Sequence, residues 1–256
     1  GSTSIGQNSR AEGDNSYAIG QGAQATAPMS YDLGRGAIAS GTGSFAFGSA
    51  GIDSLGNPTD YVQASGSNSV AIGQGARAMS EGSIAIGVGD SATNRYAVAL
   101  GYQTKSSGYS SFAAGSKTKA SGSASVAMGV FTTASGPSST AMGIITIASG
   151  DVSTAMGFET IASGWASTAM GSGTTASGDY STAMGLRTTA SGDYSTAMGY
   201  NTSPSGNVST AMGSNTSASG NTSTAMGSYT KAIGNYSTAM GRLTEASGDY
   251  STAMGS

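Results

Sequence analysis

The groups able to do chemistry in this 256-residue chain are almost all hydroxyls, because it contains no His and no Cys. A Ser or Thr nucleophile needs a neighbouring base, and the commonest base and the strongest nucleophile are both missing. The carboxylates that recur at a fixed spacing are Asp151, Asp179, Asp193 and Asp249, each just after a Gly. Regular carboxylates suggest a cation ladder, but the calcium-binding nonapeptide of β-rolls is absent, so they read as solvated turn caps. The Gly-Gln-Gly fragments at 20–22 and 73–75 are turns without a full phosphate-binding fingerprint. The expectation is a non-catalytic chain with no metal and no cofactor.

The elements carrying these residues follow from a repeat of 14. Met recurs without slippage at Met128, Met142, Met156, Met170, Met184, Met198, Met212, Met226, Met240 and Met254. The same slot holds Ala114, Leu100, Ile86 and Ile72 going backward, then Phe47, Leu33, Ile19 and Ile5, and a Gly follows every one. One step is irregular, from Phe47 to Ile72, and an 11-residue insertion near residues 49–61 accounts for it. Residues 1–256 therefore read as a single array of about 18 coils, with no linker.

Composition supports a thin, ordered chain. Gly contributes 42 residues and charged residues only 9%, too few large side chains for a spherical core and too little charge for disorder. The net charge of −3, with no basic run, leaves no footprint for nucleic acid. No apolar run approaches the roughly 20 residues that span a bilayer, so no membrane contact is expected from this segment.

Two Gly per 14 residues would cripple a helix and suit two tight turns per coil, where φ > 0 is free for Gly. At the second turn Asn94 replaces Gly, as an αL-tolerant residue would, and Ser80 and Ala27 also stand there. Between the turns lie short strands, so each coil is two strands and two turns. Identical residues then stack about 4.8 Å apart. A Ser ladder precedes the apolar slot by three, and a Thr ladder runs from Thr104 to Thr244. In-register stacking of this kind means a parallel β-solenoid.

Parity assigns the faces. A closed coil of 14 residues is flat, and strand side chains alternate. Ser139 and Ala141 then fill the roll, while Thr140 and Met142 point outward. The outward pair in earlier coils is Phe45/Phe47, Val70/Ile72, Ile84/Ile86 and Val98/Leu100. The alternative keeps Met inside as core. An outward apolar stripe exceeds what monomers tolerate, and a second copy in the same register is the simplest cover.

These residues carry a resemblance. "NSVAIGQGARAMSEGSIAIG", residues 68–87, and the recurring S-V/T-A-I/M-G pattern resemble the YadA-like head repeats of trimeric autotransporter adhesins. The resemblance implies an all-β, left-handed parallel β-roll of 14-residue coils assembled as a homotrimer, with the outward pairs and the Met row at the trimer interface. It also implies display on the bacterial cell surface, through an outer-membrane anchor in a C-terminal region outside this chain. The implied partners are host extracellular matrix proteins or cell-surface receptors. Candidate ligand contacts are Asp53, Asn57, Asp60 and Tyr61 of the insertion, the outward residues Lys105, Lys119, Arg187, Lys231 and Glu245, and the aromatics Trp165, Tyr180 and Tyr194. Two other readings compete: an ice-binding solenoid built on the Thr ladder, and a structural spacer carrying a distal tip.

Overall fold

The computed structural model describes residues 1–52, 54 and 58–256. The chain divides into two compact units, Gly1–Phe131 and Thr132–Ser256. Each is an all-strand parallel β-solenoid in which a longer strand, a turn, a two-residue strand and a second turn make one coil.

In the first unit the longer strands run from Thr3–Ile5 to Val126–Val130 and the short ones from Arg10–Ala11 to Lys119–Ala120. Pairing is parallel with a 14-residue offset, as in Ile84↔Val98 and Ile86↔Leu100. Across the insertion the register holds: Phe45 pairs with Val70, Phe47 with Ile72, and Ile38 with Gln63. The extra residues leave the stack as a small antiparallel hairpin, Gly51–Ile52 against Pro58–Thr59. A parallel stack has no room for an extra residue inside a coil, so the insertion must loop out.

The second unit repeats the plan more strictly. Its longer strands run from Thr140–Ile144 to Thr252–Gly255, with Met142↔Met156 and Met156↔Met170 in register. The short-strand ladder breaks between Thr189–Ala190 and Ser203–Pro204. Pro204 has no N–H to donate, although its carbonyl still accepts from Ser191 at 3.1 Å.

The core is four ladders of small residues. Ala141, Ala148, Ser139 and Thr146, with their equivalents, are buried in the second unit. The largest fully buried side chains of either unit are Thr, Asp32 and Val62, so the coil is too flat for Leu or Met. Several buried Ser hydroxyls donate to the carbonyl three residues back, as in Ser153 to Gly150 at 2.6 Å and Ser125 to Gly122 at 2.7 Å. The Thr ladder fares worse: Thr132, Thr146, Thr160, Thr174 and Thr188 have hydroxyls with no partner. Stacked hydroxyls about 4.8 Å apart are beyond hydrogen-bond range of one another.

The two turns differ from the expectation that both need Gly for φ > 0. At the first turn Gly143 has φ +126°, and an added Cβ would lie 2.0 Å from the Gly157 carbonyl oxygen. Both conformation and space demand Gly there. At the second turn Gly150 is not left-handed; a Cβ would meet the Gly164 oxygen at 2.0 Å. Gly stands there because the next coil is too close. Asn94 accordingly is not in the αL region, and the left-handed seat belongs to Tyr96, two residues later, at φ +57°. In the second unit that seat holds Ser138, Val152, Ala166, Tyr180 and Tyr194, all between +49° and +57°. Each such seat costs about 1–2 kcal/mol for an L-residue. The offset is a backbone bond to the coil before, such as Val152 N–H to Pro137 oxygen at 2.8 Å and Tyr180 N–H to Trp165 oxygen at 2.7 Å.

Candidate binding surfaces

The longer strands carry a continuous row of outward side chains in each unit. In the first unit Val70, Ile72, Ile84, Val98, Leu100, Phe45 and Met128 are half-buried, and Phe47 and Ile86 are exposed. In the second, Thr140 and Met142 and most of their equivalents are half-buried, with Met198 and Met254 exposed. Met therefore lies on the outer side of the roll, while the alternating Ala and Ser lie inside. Within each unit the row is uninterrupted, and no side chain of that unit lies across it in strand pairing.

The second-turn ridge of the second unit is aromatic. Trp165 meets Tyr180 edge-on at 4.5 Å, and Tyr180 stacks on Tyr194 at 4.8 Å. Tyr236 and Tyr250 stack at 5.0 Å. Beside them runs a ladder of side-chain oxygens. Asp179 accepts from Trp165 N–H at 2.8 Å, Asp193 from Asp179 at 3.0 Å, Asn207 from Asp193 at 3.2 Å and Asp249 from Asn235 at 2.8 Å. Asp179, Asp193 and Asp249 are exposed turn caps, each capping the coil before its own, whereas Asp151 faces Pro137, which has no N–H to cap. Among the described residues no group of three or more carboxylates gathers to hold a cation.

The other candidate contacts do not converge on one site. Lys105 and Lys119 are cross-strand neighbours on the short-strand face of the first unit. Lys231 pairs with Glu245 at 3.7 Å on the short-strand face of the second. Arg187 takes a first-turn left-handed seat at φ +55°. Asp60 and Tyr61 stand at the base of the insertion hairpin, and Asp53 and Asn57 lie outside the described residues.

Two buried acids escape the repeat reading. Asp32 occupies a ladder Ala slot and Asp90 a ladder Thr slot, a substitution visible once the register is known. Asp32 accepts from the Gln24 N–H, and its other oxygen has no partner. Burial pushes its pKa up to about 7, against the pull of that bond. Asp90 accepts from the Thr104 N–H and hydroxyl, both at 2.8 Å, and burial outweighs these bonds to raise its pKa. Thr104 is thus a ladder Thr whose hydroxyl finds a partner in the coil before.

Comparison with known families finds one that accounts for this geometry. The model described as YadA head domain repeat (2 copies) matches residues 1–23, 11–28, 33–50, 64–89, 92–118, 120–144, 148–174, 162–188, 176–202, 205–230 and 232–256. No curated protein matches the chain.

Proposed function

Since the chain belongs to the YadA head-repeat family, we propose that it is a homotrimeric adhesin head that attaches to host matrix proteins or cell-surface receptors. The family makes it a surface-exposed bacterial adhesin segment. The observation that supports assembly is the unbroken outward row on the longer strands of each unit, and the family suggests the number three. Rows of this extent are rarely left to water, and a copy with the same 14-residue period fits without a register penalty. The proposed interface comprises Phe45, Phe47, Val70, Ile72, Ile84, Ile86, Val98, Leu100 and the Met row from Met128 to Met254. Attachment falls to the remaining faces, where repeated weak contacts gain avidity from multiplicity.

The Thr ladder supplies no ice-binding face, because its side chains from Thr104 to Thr230 are inside the roll.

Light scattering on dilute protein tests the assembly. The expected mass is that of three copies of the 24.8 kDa chain, and Met156→Asp with Met170→Asp is expected to lower it. A wild-type monomer overturns the trimer. Attachment is tested on immobilised collagen, fibronectin and laminin and on cultured cells; retention on none of them overturns the adhesin reading.

A further inference from the structure

The insertion makes the only interruption in the first unit's described coils, and it borders on a run of missing side chains. Three residues after each apolar slot, the first-turn seat carries Gly22 and Gly36 on one side of the insertion and Gly75 and Gly89 on the other. Farther along, the same seat carries Gln103, Lys117 and Phe131. The backbone is therefore bare on both flanks of the hairpin. Tyr61 leans over Gly36, where an added Cβ would meet its ring at 3.4 Å. Asp60 leans over Gly75, where a Cβ would meet its own Cβ at 3.3 Å.

A cleft results on each flank. The one near Asp60 has a volume of about 300 Å³ and also contains Arg77, so its charges are mixed. The one near Tyr61, about 320 Å³, is lined by Gln21, Gln24 and Arg35 over the bare backbone of Gly22 and Gly36. No carboxylate among the described residues lies within ion-pair range of Arg35. Among the described residues its one hydrogen bond, from Nη2 to the Ala50 carbonyl, is long at 3.4 Å, and its buried Nε has no partner. A guanidinium whose described hydrogen bonding is a single long bond, two planar amides and an exposed phenol ring therefore share an open cleft of a size at the low end of small-molecule sites.

We propose that this cleft binds a carboxylated saccharide. The Arg35 fork suits a carboxylate, which it can hold through two parallel bonds. The amides of Gln21 and Gln24 donate to and accept from ring hydroxyls. Tyr61 offers its ring to an apolar sugar face. An acidic peptide side chain would also engage Arg35, but it would leave the two amides and the Tyr61 ring idle. The proposal rests on the adhesin reading, since it names a ligand class for such a head.

The test is titration calorimetry and ligand-observed NMR on the whole 256-residue protein, with glucuronic acid and N-acetylneuraminic acid as probes. Glucose and sodium acetate serve as controls for the ring and the charge alone. Saturable binding of at least one acidic sugar is expected, about tenfold or more tighter than either control. Arg35→Met should weaken it about tenfold or more and Tyr61→Ala by a smaller factor. Gln21→Ala provides an independent probe if a variant at Arg35 disturbs the fold. Acetate binding as tightly as the sugars, an unchanged titration for Arg35→Met in a folded protein, or no saturable binding overturns the proposal. If sugars fail while the protein still attaches to matrix or cells, the cleft falls and the adhesin reading stands. Sugar binding without any attachment has the reverse meaning.

Discussion

The two units solve the same packing problem with different side chains. On the longer strands the first unit presents Phe45/Phe47, Val70/Ile72, Ile84/Ile86 and Val98/Leu100, whereas the second presents Thr and Met in every coil from Thr140/Met142 to Thr252/Met254. The first unit tolerates irregularity elsewhere too: Asp32 and Asp90 stand in core slots, Val62 fills a slot that later becomes Thr, and a hairpin leaves the stack. The second has no insertion and a single interruption of its ladders, at Pro204. The contrast teaches that the roll's interior sets narrow limits on size, while the outward face accepts aromatic, aliphatic and Thr/Met pairs alike. Val and Ile are stiff and bury more apolar area; Met adapts to irregular gaps, and Thr adds a hydroxyl that a dry interface must satisfy.

The largest expected effect attacks what both units share. Gly157→Ala should cost more than about 3 kcal/mol, since it combines a left-handed φ of +127° with a Cβ 2.0 Å from the Gly171 oxygen. Hydrogen exchange should show the loss concentrated in the coils around residue 157. Equal protection in variant and wild type would mean that the stack relaxes far more easily than its spacing implies.

The contrast between faces is sharpened by exchange. Thr154→Val with Met156→Ile gives the second unit the outward pair of the first, and is expected to stabilise the assembled form by about 1–2 kcal/mol per chain. Val98→Thr with Leu100→Met should weaken it by a similar amount. Denaturant-induced dissociation followed by light scattering measures both, and shifts of the same sign would erase the distinction drawn between the units.

A buried hydroxyl tests the ladders. Thr160→Val removes a donor that has no partner, in a slot whose first-unit equivalent is the buried Val62. The thermal midpoint should rise, reflecting about 1 kcal/mol. Thr104→Val should lower it instead, because there the hydroxyl bonds to Asp90 at 2.8 Å.

A further effect concerns pH and belongs to the first unit alone. Asp32 has a folded pKa of about 7, above its ordinary value of 3.8, so its contribution to stability is complete below about pH 4 and is lost as pH rises through about 7. Asp32→Asn keeps an acceptor for Gln24 and should flatten the fall in melting temperature between those limits. An unchanged slope would place the titration elsewhere.

Much of this was legible in the residues. The 14-residue register places Phe47 against Ile72 across the insertion, and the structure pairs them. Parity separates Ala141 from Met142. The second-turn Gly was misread as a conformational need. Nothing near Gly150 in the chain shows that the Gly164 carbonyl stands where its Cβ would be. The clefts flanking the hairpin were not legible either. Tyr61 is an unremarkable aromatic until folding brings it against Gly36, 25 residues away.

The sequence by itself determined the period, the strand alternation and therefore which side chains enter the roll. Those follow from local rules, a two-residue alternation and a fixed spacing between stacked copies. Only the tertiary structure decided which glycines lack room, which residues sit left-handed and what surrounds Arg35. Each of those depends on atoms one or more coils away, in a register that exists only once the coils are stacked.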